Sequence, residues 1–167
     1  MFAPNHHLHN DAPLILCAIP VSWRRRLSVA AAQDDIFEKR PWRGIVAAML
    51  GNAFPMAREG SVRRSLDYLG ARLDRGYSIL IFPEGKLTVG GPLQEFKTGT
   101  GLVAIHGRIP VVPMRLKVKR HGRMDEGTAG TSFRGEVEII FGAPLSFAID
   151  DDPTRATAAI REAVEAL

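Results

Sequence analysis

Between Gly76 and Pro83 the sequence reads YSILIF, a short run with almost no polar alternation. A strand with one wet face alternates apolar and polar residues, whereas a strand buried on both faces does not. YSILIF therefore belongs inside a covered sheet, with Gly76 and Pro83 marking its ends. Ahead of it, Ser61 to Arg75 carries Val62, Leu66, Leu69 and Leu73 on one helical stripe, with Ser61 as N-cap and Gly76 at C′. GLVAIHG reads as helix, IPVVPMRLKV as strand, and GEVEIIFG as a strand alternating into an apolar end. DPTRATAAIREAVEAL reads as a helix capped by Asp152, with Pro153 in the first position, where a missing N–H does no harm. Strand and helix patterns alternate throughout. The expected class is α/β, a mostly buried mixed sheet flanked by helices on both faces.

The expected organisation is one domain over residues 1–167. Met1 to Pro4 is too short to form an element of its own. An apolar helix follows Asp11, with Pro13 in its first turn and Cys17 as small core filling. VSWRRRLSVAA passes from a basic, aromatic-flanked segment into a strand near Leu27 to Ala31. DDIFEKRPWRGIVAAMLGN suggests a short helix, a break at Pro41 and a second helix ending near Gly51, and AFPMAR is a short strand leading to Arg58. The polar, Gly-rich stretch from Arg120 to Glu136 reads as a loop or hairpin.

Hydrophobic residues at 46% and charged residues at 24% describe a globular chain and argue against disorder. A single cysteine excludes an internal disulfide framework and a cysteine-rich zinc site. No apolar run approaches the roughly 20 residues that span a bilayer, so the expectation is a soluble or peripheral protein. The net charge of +4 favours anionic partners, among them phosphorylated substrates and membrane surfaces. Nucleic acid is not expected, because the basic residues are scattered and carry no aromatic–basic signature.

NHHLHND, Asn5 to Asp11, gathers three histidines and an aspartate. Five residues along a helix turn through about 140°, so His6 and Asp11 converge only if His6 lies in a loop and Asp11 opens the next helix. An aspartate accepting from Nδ1–H would then fix the tautomer and leave Nε2 able to take a proton. The other reading is a plain aspartate cap beside solvent-facing histidines. A metal site through His6, His7 and His9 is not expected, since a short His-x-His pairing lacks a further ligand and scaffold. FPEGKLT, Phe82 to Thr88, follows the buried strand, where open α/β sheets place ligands. Pro83 and Gly85 shape its turn, Glu84 supplies an acid and Lys86 a cation. Arg58 follows another short strand and suits bidentate phosphate recognition. His106 reads as a helix-end residue.

Taken together, these segments resemble the glycerolipid acyltransferase family, the lysophosphatidic acid acyltransferase-like enzymes. NHHLHND is similar to its Asn-His-x4-Asp block, GNAFPMAR to its second, ILIFPEGKLT to its Phe-Pro-Glu-Gly block and IPVVPM to its fourth. PLQEFKTGTGLVA resembles the Phe-Lys-x-Gly stretch that follows the third block. Each block alone is weak evidence, but the order and spacing agree from Asn5 to about Lys117. The resemblance implies transfer of a fatty acyl group from acyl-CoA or acyl carrier protein to the hydroxyl of a lysophospholipid or glycerol phosphate derivative. It implies His6 as general base, Asp11 as its orienter, and Arg58, Glu84, Gly85 and Lys86 around the acceptor and its phosphate. No Ser or Cys nucleophile is needed, and no metal or redox cofactor, because the thioester donor is itself a substrate.

Two departures accompany the likeness. Leu87 stands where the family commonly has Arg, a variant closer to branches that acylate lysophospholipids with larger headgroups. The likeness also begins at residue 5, without the family's usual N-terminal portion. Two alternatives remain: a His/Asp-dependent acyl hydrolase, and a non-catalytic lipid-binding remnant domain. Trp23 beside Arg24, Arg25 and Arg26, and Trp42 beside Arg40 and Arg43, suggest contact with an anionic membrane surface on its cytoplasmic face. Against that stands burial of both tryptophans in the core.

Overall fold

The computed structural model describes residues 1–7, 11–32, 52–56, 62–88, 92–120, 123–124 and 136–167. In chain order the elements are β1 (Phe2–Pro4), α1 (Asp11–Ala18), α2 (Val21–Arg24), β2 (Leu27–Ala32), β3 (Phe54–Met56), α3 (Val62–Asp74), β4 (Ser78–Leu80), α4 (Gly99–His106), β5 (Val112–Arg120), β6 (Arg123–Met124), β7 (Glu136–Phe141) and α5 (Pro153–Glu165). The helices expected between Asp34 and Gly51, the cap Ser61, and most of the stretch from Arg120 to Glu136 lie outside the described residues. The described residues group into two compact units, Met1–Ala18 with Phe82–Leu167, and Ile19–Ile81.

In the first unit β1 pairs in parallel with β5, placing Phe2, Ala3 and Pro4 opposite Val112, Pro113 and Met114. This corrects the expectation that Met1 to Pro4 forms no element. Three residues suffice because β5 supplies their partner, and local sequence carries no record of a partner so distant. β5 also pairs antiparallel with β7, from Met114 opposite Phe141 to Lys119 opposite Glu136, so the sheet is mixed. Met114, Leu116 and Val118 are buried at alternate positions of β5, as period-two geometry requires.

Helix α5 begins as its sequence indicates. Asp152 Oδ1 accepts from the backbone N–H of Thr154 at 2.7 Å and of Arg155 at 2.9 Å. The Arg155 amide is the main cause that holds the Asp152 carboxyl below its ordinary range. The helix buries Ala156, Ile160 and Val164 and packs beside α4. At their contact Thr157 Oγ1 accepts from the Gly101 N–H at 3.0 Å.

α1 buries Asp11 and Ile15, one turn apart, on its inner face. Cys17 is exposed, which corrects its assignment to the core. Two residues beyond Ile15 the helix has rotated by about 200°, so the cysteine faces away from that buried stripe.

In the second unit β2 pairs in parallel with β3 on one side and β4 on the other. Ile79 and Leu80 are wholly buried and Ile81 nearly so, as the unbroken apolar run requires. α3 packs on β3 and β4, with Leu69 buried and Leu66 and Leu73 half-buried. It ends at Gly76, whose φ of +74° suits a residue without Cβ. The Gly76 N–H donates to Leu73 O and the Tyr77 N–H to Arg72 O, the paired bonds of a Schellman cap. Arg72 lies 4.8 Å from the centre of the Phe54 ring and donates through Nε to Ser28 Oγ at 2.6 Å, tying α3 to β2 and β3.

A Cβ added to Gly101 would lie 2.2 Å from Pro153 O and 2.6 Å from Thr157 Oγ1. Gly101→Ala must therefore push α4 off α5. Equilibrium unfolding in urea is expected to show a loss of about 1–3 kcal/mol, the usual cost of overpacking.

Candidate functional site: a histidine held by two loops

β1 stops after Pro4 because the next residue pairs through its side chain. Asn5, fully buried, donates from Nδ2 to Leu116 O at 3.1 Å and accepts at Oδ1 from the Leu116 N–H at 2.7 Å. The amide thus occupies the pairing sites of the β5 backbone while the chain turns away from the sheet.

His6 is the next residue. Its Nδ1 lies 2.9 Å from Asp11 Oδ2, with the imidazole 22% exposed and the aspartate side chain fully buried. The same Oδ2 accepts from the His7 N–H at 2.6 Å. Helix α1 opens at Asp11, so loop and helix start bring the two residues together as their spacing requires. A plain cap beside solvated histidines does not describe this geometry: His7 is buried, and the aspartate is turned onto the His6 ring. The Phe82 ring stacks on that ring, with centres 4.2 Å apart and planes at 29°.

The backbone of His6 is held on both sides by the segment after β4. Its N–H donates to Glu84 Oε1 at 2.7 Å, and its carbonyl accepts from the Thr88 N–H at 2.8 Å. Glu84 Oε2 accepts from the Thr88 hydroxyl and, at 3.3 Å, from the Gln94 N–H. Arg161 of α5 donates to the carbonyls of Leu93 and Gln94, tying the terminal helix to this segment.

The family resemblance implies Glu84 among the residues around an acceptor. In the structure its carboxylate is 1% exposed and faces three donors around the His6 loop. Gly85 has φ +68° and donates its N–H to Phe82 O, so it makes the turn that its sequence position suggested. Lys86 is exposed and Leu87 half-buried beside it. Arg58 and His9 lie outside the described residues. His106, at the end of α4, is exposed.

The Acyltransferase family profile matches residues 1–117, which include the His6–Asp11 loop and the Glu84 turn. The chain belongs to the Acyltransferase family. Over 140 residues this chain is 27% identical to a lyso-ornithine lipid O-acyltransferase of Pseudomonas aeruginosa. That alignment takes in 84% of this chain and 50% of its relative, so the chain spans half the length of that curated protein. Its fold matches the crystal structure of PlsC, the 1-acyl-sn-glycerophosphate (LPA) acyltransferase of Thermotoga maritima, with a TM-score of 0.65 at 18% identity. The match covers 99% of this chain and 64% of the other, and supports the α/β class read from the sequence.

Sequence reasoning passed over Asn5, Phe82 and Thr88 as individual residues, although each stands inside a motif it quoted. An asparagine directly before His6, where a strand-forming stretch gives way to the polar NHHLHND block, was the available signal for Asn5. The pairing predicts a stability effect. Asn5→Leu leaves the Leu116 N–H and C=O without their partner, and urea unfolding should show a loss of roughly 1–3 kcal/mol for each group left unsatisfied.

Proposed function

We propose that this acyltransferase moves a fatty acyl group from a thioester, acyl-CoA or acyl carrier protein, to the hydroxyl of a lysophospholipid-type acceptor, with His6 as general base. The observation that carries the reading is the wholly buried Asp11 carboxylate set against the Nδ1 of a partly open imidazole. With Nδ1–H donating to Asp11, the Nε2 lone pair takes the acceptor hydroxyl proton as that oxygen adds to the thioester carbonyl. Collapse of the tetrahedral intermediate forms the ester and expels the thiolate, which takes the proton from the imidazolium to leave as the free thiol. The acyl group passes directly between substrates, so His6 and Asp11 need no nucleophilic partner.

Lys86 and Arg58 are the cations we assign to the acceptor headgroup. Leu87 supplies no charge where the family commonly has one, and the Pseudomonas relative is named for lyso-ornithine lipid. These two observations favour a second reading of the acceptor, a lyso-ornithine lipid in place of a phosphate ester.

One assay separates the possibilities: thiol release and lipid product followed together, with acyl-CoA and acyl carrier protein donors, against lysophosphatidic acid, larger lysophospholipids and lyso-ornithine lipid. Thiol release without acceptor identifies a hydrolase. Lipid binding without turnover identifies a non-catalytic domain. His6→Ala should lower turnover by about 10²–10⁴-fold while the protein remains folded, and Asp11→Asn should lower it as well. Unchanged turnover in His6→Ala rejects His6 as the base.

We also assign the α2 region to an anionic membrane surface. Trp23 is 60% exposed and Val21 53% exposed, and Arg25 and Arg26 are exposed beside them. The placement of Trp23 favours a surface role over burial in the core. Trp42, Arg40 and Arg43 lie outside the described residues. Among the described residues no helix is long and apolar enough to cross a membrane. Sedimentation with phosphatidylserine-containing vesicles should be strong at low salt and lost at high salt. The Arg25→Ser/Arg26→Ser variant should bind more weakly by about 1 kcal/mol per cation, roughly fivefold each. Equal sedimentation of variant and parent would exclude this segment as the contact.

A further inference from the structure

Thr88 is 2% exposed and makes two contacts with the His6 loop, one direct and one through Glu84. Its N–H donates to the His6 carbonyl at 2.8 Å. Its hydroxyl donates to Glu84 Oε2, and Glu84 Oε1 accepts from the His6 N–H at 2.7 Å. The backbone of His6 is therefore gripped at both polar atoms by one short segment.

The ring of His6 has its own supports in Asp11, at Nδ1, and in the stacked Phe82. The Glu84 carboxylate is engaged at both oxygens, which fixes its rotation about the side chain. Thr88 O–H and Gln94 N–H engage Oε2, and the Gln94 contact is long at 3.3 Å. The hydroxyl thus sets the rotation of the carboxylate, and with it the direction in which Oε1 meets the His6 amide.

We infer that Thr88 is a positioning residue for acyl transfer: through Glu84 it sets the backbone of His6, and hence the line along which Nε2 meets the acceptor hydroxyl. The inference rests on the reading of His6 as general base. It gives Glu84 a place in that base's support, distinct from contact with the acceptor.

Thr88→Val keeps the shape and the backbone N–H and removes only the hydroxyl. It should lower kcat on the order of 10- to 100-fold, the scale of an ångström-sized misplacement of a reacting group, with both KM values within about twofold of the parent. Thr88→Ser, which restores the hydroxyl, should recover most of that loss. Thr88→Cys, with a weak S–H donor in nearly the same volume, replaces Val in the comparison should Val not fold. In the His6→Ala background, Thr88→Val should leave the residual rate unaltered, because its effect passes through His6. Hydrogen exchange at the His6 amide, which needs no substrate, should be faster in Thr88→Val than in the parent.

Unchanged kcat and unchanged His6 exchange in Thr88→Val overturn the inference while leaving the general base intact. A raised acceptor KM with unaltered kcat overturns it in favour of acceptor binding by the Glu84 turn. Full activity of His6→Ala removes the base itself, a separate failure visible in that control alone, and the inference falls with it.

Discussion

Asn5 sits where β1 would otherwise continue beside β5, and its amide makes the two hydrogen bonds to Leu116 that a backbone partner would have made. The strand can end there without orphaning buried polar groups on β5, which would be costly. His6 is therefore free to leave the sheet at a defined point. A loop leaving an unpaired strand end would carry its histidine in many directions. One leaving a satisfied strand end needs only a second anchor.

The second anchor comes from the turn after β4. Gly85 supplies the positive φ that closes this turn, and Glu84 is thereby directed inward to the His6 N–H. A buried carboxylate demands hydrogen-bond donors, and it finds them on His6, Thr88 and Gln94. The His6 loop and the turn at Gly85 are joined in this way by one buried acid. Arg161 extends the framework, since its contacts with Leu93 and Gln94 let the terminal helix steady the segment that completes the set of donors. The C-terminal helix lies beyond the 117 residues of the family match, yet Arg161 bonds to Leu93 and Gln94 within them.

Asp11 works differently. Its Oδ2 serves both the His7 N–H and the His6 ring, so one oxygen shapes the loop and orients the imidazole. Phe82 covers the ring with an apolar face and leaves part of it open. Such a ring is confined in orientation and still accessible.

The sequence alone determined the elements whose evidence is local. The apolar run at Ile79–Ile81, the glycine that ends α3, the Asp152–Pro153 start of α5 and the His6–Asp11 spacing all record geometry within a few residues, where rotation per residue and available φ decide the outcome. It also carried the order of the motifs, and with it the family. Tertiary structure alone decided that Phe2–Pro4 is a strand, that Cys17 faces outward, and that Glu84 reaches His6 across 78 residues while Asn5 reaches Leu116 across 111. Periodicity reports which face of an element is apolar. It says nothing of which buried N–H or carboxylate will still need a partner once the strands have paired, and that need is what brought these residues together.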